Sequence, residues 1–227
     1  MPITLDFGAV LLHWPMLLDG ARLTLELAIL AGGLGFAVGT LCAIARRSGR
    51  TWLVRAAGAY VELIRNTPFL VQIFLVYFGL SSIGLSLPAF TVALIALAIN
   101  GGAYTAEIMR AGFDAVPRGQ IEAAECLALS RAQIYRHVIL LPALERVYPA
   151  LTSQIVLLML ASSVTSQISA EELTAAANYI QSDTYRAFET YMLVALLYVA
   201  LSLLMRGGFF VLGQMLFRRR RQLGTAL

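Results

Sequence analysis

Residues 121–142 read IEAAECLALSRAQIYRHVILLP, and this polar segment lies in the middle of an otherwise strongly apolar chain. Pro117 and Gly119 allow a turn just before it, and Pro142 is expected to interrupt the helix at its far end. A helical period divides the side chains into two faces. The apolar face holds Cys126, Leu127, Ile134, Val138 and Leu141, and the polar face holds Glu122, Glu125, Arg131, Gln133 and Arg136. The segment is therefore expected to meet water and a partner.

The composition around this segment is that of a membrane protein. The chain has 227 residues, of which 59% are hydrophobic and only 13% are charged, whereas a soluble domain carries about 25% charged residues. All seventeen basic residues are arginine. Because a Walker A loop requires a lysine to reach the nucleotide phosphates, this chain cannot hold a standard P-loop.

Five apolar runs are long enough to cross a hydrocarbon core, which needs about 20 residues. They cover approximately residues 23–45, 59–80, 88–109, 142–164 and 188–217. We predict an all-α integral membrane protein with a single domain over residues 1–227. In the first span, four glycines are expected to let another helix approach closely; they are Gly32, Gly33, Gly35 and Gly39.

Arginines gather in three places, at residues 46–55, 110–136 and 218–221. The positive-inside rule assigns all three groups to the cytoplasm. Five spans satisfy this if the N-terminus lies outside and the C-terminus lies in the cytoplasm. The loop 110–141, between the third and fourth spans, then lies in the cytoplasm with a short helix. Beside an apolar helix, Arg218 to Arg221 indicate a topological anchor rather than a nucleic-acid contact.

Few residues suggest catalysis. Cys42 and Cys126 fit neither a disulfide framework nor a zinc site, and His13 and His137 are too scattered for a metal cluster or a triad. Since no group of nucleophile, base and orienting residue is evident, a membrane-embedded enzyme is disfavoured. We expect no catalytic residue, no metal and no cofactor in this chain.

Ionisable side chains inside the predicted spans need partners or water. Glu62 and Arg65 are three residues apart on a helix and can form a salt bridge that fixes packing; the alternative is a role in gating or solute contact. Asn66 and Thr67 precede Pro68, which interrupts the second span. Freed carbonyls are tolerated at depth where they face protein or an aqueous cavity, so this stretch is a candidate wall of a solute path.

Residues 122–130 and 134–143 resemble the coupling loop of ABC importer permeases. The family pattern is Glu-Ala-Ala, three residues, Gly, and then Ile-x-Leu-Pro. Here Ala128 stands where the glycine is usual; if the bend needs a positive φ, the turn is built differently or the segment is more continuous. The stretches ELIRNTPFLVQ (62–72), NGGAYTAEI (100–108) and FETYMLVALLY (188–198) resemble the polar amino-acid branch of the same family.

The resemblance implies that residues 119–136 form a coupling helix seated in a cleft of an ATPase subunit. Closure of two ATPases, which would bind ATP and Mg, would then switch the permease between outward and inward access. An ordinary helix N-terminal carboxylate is the alternative interpretation of Glu122. The expected coupling residues are Gly119, Glu122, Ala123, Ala124, Ala128, Ser130 and Arg131.

The resemblance also places Asn100, Tyr104 and Glu107 beside a solute cavity, although tight packing explains Gly101 and Gly102 equally well. Many relatives have Lys-Asp and then Thr-Ser on the fourth span; this chain has Leu160, Ala161, Ser162 and Ser163. The missing lysine favours a neutral or cationic solute such as histidine, arginine or an opine, unless a partner permease supplies it. The predicted path residues are Glu62, Arg65, Asn66, Thr67, Asn100, Tyr104, Glu107, Ser162 and Ser163.

Together these features predict the permease subunit of an ATP-driven, binding-protein-dependent importer for a polar amino acid or a derivative. It would cross the bacterial cytoplasmic membrane several times, in contact with lipid. Its expected partners are ATPase subunits, an identical or homologous permease, and a soluble binding protein. The alternative is an ATP-independent carrier or channel, which the short chain and the absence of an inverted repeat disfavour.

Overall fold

The computed structural model describes residues 5–217, so the predicted anchor at Arg218 to Arg221 lies outside the described residues. Residues 5–217 form helices and connecting turns, without a strand. The α-helices are α1 (Gly8–Leu11), α2 (Trp14–Ala45), α3 (Thr51–Arg65), α4 (Phe69–Ser82), α5 (Ala89–Asp114), α6 (Arg118–Cys126), α7 (Arg131–Gln133), α8 (Leu141–Ala161), α9 (Leu173–Thr184) and α10 (Ala187–Leu216). A π-helix (Ile134–Leu140) precedes α8, and a 3-10 helix (Ser162–Ile168) follows it.

Four helical segments among the described residues are long and apolar enough to cross a membrane, and a bent pair provides a fifth span if its two helices are counted together. The four segments are Trp14–Ala45, Ala89–Asp114, Arg131–Ile168 and Ala187–Leu216. The bent pair is α3 and α4, whose axes meet at 112°. The predicted all-α fold of about five spans is therefore confirmed.

The interruption that the sequence predicts at Pro68 within the second span is confirmed, because α3 ends at Arg65 and α4 starts at Phe69. Proline explains the break. Pro68 has no N–H to continue a helical ladder, and it disfavours the helical conformation in Thr67 before it. Pro68 itself is extended, with φ −64° and ψ 139°.

Two other predicted boundaries move for reasons that also involve proline. The first span begins at Trp14 rather than residue 23, because Pro15 lies in the first helical turn, where its missing N–H costs no hydrogen bond. Pro142 does not end the helix that precedes it, because a π-helix leads directly into α8. Widened π-turns are a known way for a helix to accommodate an irregular position, and the helical segment runs without interruption over residues 131–168.

The centre of the fold is the packing of α2 against α5. A Cβ added to Gly39 would lie 2.6 Å from the carbonyl oxygen of Gly102, and one added to Gly35 would lie 3.1 Å from the Gly102 nitrogen. The backbones approach so closely that only glycine fits at Gly39. Gly32 meets Ile155 in α8, whereas Gly33 meets nothing within 4 Å. The predicted close helix approach is thus confirmed at three of the four glycines.

Apolar side chains cover much of the outer surface, especially on α4 and α10. Leu75 and Phe78 in α4 and Leu196 and Leu203 in α10 are all more than 60% exposed. A helix that is apolar on all sides and yet exposed suits a lipid or subunit environment. The polar groups described next lie at the ends and at the break of the spans.

Candidate coupling segment and polar cluster

A tight turn joins α6 to α7. The N–H of Ala128 donates to the carbonyl of Glu125 (2.9 Å), and the N–H of Leu129 donates to the carbonyl of Ala124 (3.2 Å). This pair of bonds is a Schellman motif, in which the residue at Ala128's position adopts the left-handed conformation. Ala128 has φ 54°, at a cost of about 1 kcal/mol or more relative to glycine. The alternative of a more continuous segment is wrong, because the glycine-type turn is built with alanine.

The second helix of the segment starts with its own cap. Ser130 accepts the N–H of Gln133 through its hydroxyl oxygen, and the Gln133 side-chain oxygen accepts the N–H of Ser130 at 2.9 Å. This capping box satisfies two backbone donors that would otherwise be free. Ser130, predicted as a coupling residue, therefore holds the corner of the segment in place.

One side of α6 rests on the body of the protein. Ala124 is only 4% exposed and lies in one apolar cluster with Phe113 of α5, Ala143 of α8, and Ile134 and Ile139 of the π-helix. Of the other predicted coupling residues, all are exposed; they are Gly119, Glu122, Ala123, Ala128, Ser130 and Arg131. Ala124 thus anchors the helix, while its neighbours form the outward surface.

The predicted apolar face of this segment is partly wrong. Leu127 is 76% exposed, Leu141 is 54% exposed and Cys126 is also exposed, whereas Ile134 is buried as predicted. The turn at Ala128 resets the helical period, so residues before and after it do not share one face. Leu127 therefore belongs to the outward surface of α6. A left-handed turn assumed at residue 128 would have predicted this exposure.

A cluster of charges joins the ends of α2, α3 and α5. The Glu107 carboxylate accepts from the Arg46 guanidinium, lies 2.8 Å from the Arg110 guanidinium and lies 3.9 Å from that of Arg65. Asp114 pairs with Arg47 at 2.8 Å and with Arg110 at 3.0 Å. The Glu107 side chain is 19% exposed, so the cluster is partly shielded from solvent and ties three helices together.

The predicted salt bridge between Glu62 and Arg65 is wrong. Arg65 extends toward Glu107 and covers the ring of Tyr104, with its guanidinium carbon 5.6 Å from the ring centroid, a cation–π geometry. Glu62 instead accepts from the Asn66 amide at 3.1 Å. The sequence did not predict Arg46 and Arg110 as partners of Glu107, because their positions indicated only the topology of the chain.

A buried amide satisfies the backbone at the break between α3 and α4. The Gln72 amide nitrogen donates to the carbonyls of Ile64 (2.7 Å) and Thr67 (3.0 Å), and Asn100 donates to the Gln72 oxygen at 2.9 Å. Gln72 is 6% and Asn100 is 7% exposed. Gln72 was not predicted, although a lone glutamine four residues after Pro68 in an apolar run was an available signal.

Seven predicted path residues thus gather around the break and the facing side of α5; they are Glu62, Arg65, Asn66, Thr67, Asn100, Tyr104 and Glu107. Ser162 and Ser163 lie at the join between α8 and the 3-10 helix. Their hydroxyls donate to the carbonyls of Met159 and Leu160, both at 2.7 Å, and Ser162 is completely buried. Within residues 5–217 neither serine bonds to the group around the break, and the contribution of all nine residues to solute transport stays a prediction.

The described part of the chain holds no cluster of three or more histidine, cysteine or acidic side chains that could bind a metal ion. Cys42 and Cys126 are both free thiols. The candidate site therefore consists of the α6–α7 turn, the charge cluster around Glu107, and the polar break between α3 and α4. None of these has the geometry of a metal centre.

Comparison with known proteins gives this arrangement a context. The family described as "binding-protein-dependent transport system inner membrane component" matches residues 35–221. An octopine transport system permease protein of Rhizobium radiobacter is 34% identical over 214 residues, covering 90% of this chain and 87% of the relative. A glutamine transport system permease protein of Escherichia coli is 34% identical over 202 residues, covering 88% and 92%.

A solved structure has the same architecture. An amino acid ABC transporter crystallised with histidines contains a chain that superposes with a TM-score of 0.85 and is 38% identical in sequence. The superposition covers 94% of this chain and all of that chain.

Proposed function

Because the chain belongs to the family of binding-protein-dependent transport system inner membrane components, we propose that it is the permease subunit of an ATP-driven importer for a polar amino acid or a derivative such as an opine. Members of the family are multi-pass transport proteins of the inner membrane, and not enzymes. The octopine and glutamine permeases to which the chain is similar over about nine-tenths of its length support this solute class.

The observation that carries the proposal is the position of α6. Its outward side presents Glu122 and Ala123, and its inward side rests through Ala124 on the cluster that contains Phe113 of α5 and Ala143 of α8. An ATPase that grips and displaces α6 would therefore move the ends of two spanning helices at once. Such a displacement is a rigid-body switch of the kind that alternates access.

The charge cluster around Glu107 supports a gating role in addition to the coupling role of α6. Glu107 connects the ends of α2, α3 and α5 through Arg46, Arg65 and Arg110. Movement of α5 relative to α2 and α3 would separate these pairs, so the cluster would favour one of the two access states. The solute path would run past the break at Asn66 and Thr67, where polar groups already face the surface.

The proposed solute is neutral or cationic at its side chain, for example histidine, arginine or an opine. Leu160 and Ala161 carry no charge at the positions where many permeases have a lysine and an aspartate. A lysine there would suit an additional solute carboxylate. If a second, non-identical permease supplies that lysine, the solute class widens to acidic amino acids.

The complete importer would contain further subunits. Two ATPases would bind ATP and Mg on the cytoplasmic side, since no lysine is present in this chain to build a P-loop. An identical or homologous permease would complete the solute path, and a soluble binding protein would deliver the solute from outside. The exposed apolar surfaces of α4 and α10 are available to lipid and to the second permease.

Reconstitution distinguishes this proposal from an ATP-independent carrier or channel. Proteoliposomes containing the chain with its co-purifying subunits would be assayed for uptake of radiolabelled glutamine, histidine and octopine, with and without ATP and the binding protein. We expect uptake only when both are present. Solute uptake by the chain alone, without an ATPase, would favour the carrier instead.

A matched pair of charge reversals tests the coupling segment. Glu122→Arg alters the outward side of α6, whereas Glu171→Arg alters an exposed carboxylate outside the segment, next to the α9 cap. We expect the Glu122 variant to insert and assemble with the second permease but to retain less ATPase and to lose uptake. Equal ATPase retention and ATP-driven uptake in the two variants would exclude a coupling role for this surface of α6.

A further inference from the structure

A groove of about 220 Å³ lies between α8 and α10, outside the coupling segment and the charge cluster. Its polar lining consists of Thr152, Ser153 and Arg206, and its apolar lining includes Phe209 and Phe210. At one side, the Tyr148 hydroxyl donates to the carbonyl of Phe209 at 2.6 Å and joins the two helices. The groove is therefore a fixed feature of the packing between two spans.

Arg206 is the charged residue of this groove, and its charge is not compensated within the described chain. No carboxylate among residues 5–217 pairs with it, whereas Arg22 and Arg110 in other spanning helices pair with Glu26 and Glu107. An unpaired guanidinium in an apolar helix is costly unless an anion or water meets it. A Cβ added to Gly207 or Gly208 would meet nothing within 4 Å, so the described chain leaves the helix next to Arg206 uncovered.

Arg206 lies in the second half of α10, towards its predicted cytoplasmic end. It follows Glu189 by 17 residues in one continuous helix, which corresponds to about 26 Å at 1.5 Å per residue. The hydrocarbon core is about 30 Å thick. Independently, Val147, next to Tyr148, would lie 2.7 Å from a Cβ on Gly112, two residues before the end of α5. The Tyr148 end of the groove thus lies near the level of the Arg47 and Asp114 pair. Arg206 lies deeper in the span, seven residues before Gly213, which packs on Tyr148.

We propose that this groove binds one anionic phospholipid of the cytoplasmic leaflet. The Arg206 guanidinium would pair with the lipid phosphate, which it matches in charge and bidentate geometry. The Ser153 hydroxyl, which makes no hydrogen bond within the described chain, would donate to a second phosphate oxygen, and an acyl chain would lie on Phe209 and Phe210. Basic pockets between spanning helices on this side of a membrane suit anionic headgroups.

The apolar part of the groove selects this occupant over free phosphate, which would have no use for two phenylalanine rings. The proposal depends on the chain spanning a membrane with the arginine-rich loops in the cytoplasm, and it does not depend on which solute is imported.

Lipid retention tests the site. The full-length chain with its co-purifying subunits would be placed in nanodiscs of phosphatidylglycerol and phosphatidylcholine, and released complexes would be examined by native mass spectrometry. We expect the wild type to retain one phosphatidylglycerol per copy of this chain, and Arg206→Gln to bind it roughly fivefold more weakly. Arg206→Lys should retain most of the binding. Arg118→Gln, which removes the same charge from the exposed coupling helix, should retain all of it.

Ser153→Leu provides a second variant that fills the groove without removing the charge, and it should lower phosphatidylglycerol retention as Arg206→Gln does. Phosphatidylcholine nanodiscs with added inorganic phosphate should show no bound phosphate. Unchanged phosphatidylglycerol retention in both Arg206→Gln and Ser153→Leu would overturn the proposal. So would a disulfide formed between two copies carrying Phe210→Cys, because a second copy would then cover the groove.

Discussion

Asn100 donates a 2.9 Å hydrogen bond to Gln72, and this contact fixes α5 to the break between α3 and α4. Gln72 in turn donates to the carbonyls of Ile64 and Thr67 at the break. Both amides are more than 90% buried, so each is costly to leave without a hydrogen-bond partner. The bent pair is therefore a specified shape, held by two side chains from different helices.

Replacing Gln72 should destabilise the bent pair. Gln72→Leu removes the hydrogen bonds to the carbonyls of Ile64 and Thr67 and from the amide of Asn100, and we expect the free energy of unfolding to fall by about 1–3 kcal/mol. Chemical unfolding in detergent micelles measures the change. Gln167→Leu, at an exposed glutamine, is the control and should change stability by less than about 0.5 kcal/mol.

A double-mutant cycle with Asn100→Leu tests whether the two amides act together. If they do, the double variant should be less destabilised than the sum of the single variants, since each substitution already removes the shared hydrogen bond. Strict additivity would show that Gln72 and Asn100 contribute independently, contrary to the geometry.

The α2–α5 contact offers a matched pair of glycine substitutions. Gly39→Ala should be destabilising by about 1–3 kcal/mol, because its Cβ would lie 2.6 Å from the backbone oxygen of Gly102 and from the Thr105 side chain. Gly33→Ala, where a Cβ meets nothing within 4 Å, should be neutral or stabilising by up to about 1 kcal/mol. Thermal unfolding of the purified variants gives both values, and an equal effect at the two sites would contradict the packing.

Removing the charge of Glu107 should affect transport more than assembly. Glu107→Gln leaves Arg46 and Arg65 without a carboxylate, and the loss of charge-assisted hydrogen bonds should lower stability by about 1–3 kcal/mol. Uptake in proteoliposomes and subunit retention are measured on the same preparation. Asp114→Asn, at a side chain that is 53% exposed, is the control and should cost less than about 1 kcal/mol.

The spans and the helical corner could be predicted from the sequence, because hydropathy, arginine distribution and proline act over short stretches of chain. The partner of Arg65 could not be predicted from such short stretches. Spacing on one helix favoured Glu62, three residues away, but Glu107, 42 residues away, takes the guanidinium once α3 packs on α5. The same holds for Gln72, whose role as a cap depends on a bend of 112° that no local pattern measures.

The turn at Ala128 limits prediction in another way. The sequence indicated a bend, and alanine argued against a left-handed residue, yet the surrounding Schellman bonds and the Ser130 cap impose φ 54° on Ala128. Local preference was outweighed by the capping of two helices, each worth about 1 kcal/mol.

Glycine should relieve this conformation. Ala128→Gly is expected to stabilise the segment by about 1 kcal/mol, because glycine adopts a positive φ without a Cβ clash. Ala132→Gly, four residues later and inside α7, should destabilise by about 1 kcal/mol because glycine is a poor helix former. Hydrogen exchange over residues 118–140 reports both changes, and the same sign at both positions would argue against a left-handed Ala128.

The last prediction concerns the carboxylic acid of Glu172, which lies outside the coupling segment and the charge cluster. Glu172 is completely buried, caps α9 by accepting the N–H of Ala175 at 2.9 Å, and accepts the Tyr198 hydroxyl at 2.8 Å. Burial raises the pKa of Glu172 above its ordinary value, and the hydrogen bonds that favour the carboxylate only partly offset this. The folded chain therefore holds this proton more tightly than the unfolded chain.

A raised pKa in the folded state means that the contribution of Glu172 to stability is fully present below about 4.3, the ordinary pKa of glutamate, and is lost as pH rises through the raised value. Glu172→Gln keeps an oxygen to cap α9 but cannot ionise, so this loss with rising pH should disappear. Glu171→Gln, at the exposed neighbouring carboxylate, should keep the wild-type profile. Thermal unfolding between pH 4 and 8 measures the three curves. Parallel curves for wild type and Glu172→Gln would mean that the pKa of Glu172 is the same in the folded and the unfolded chain, contrary to this expectation.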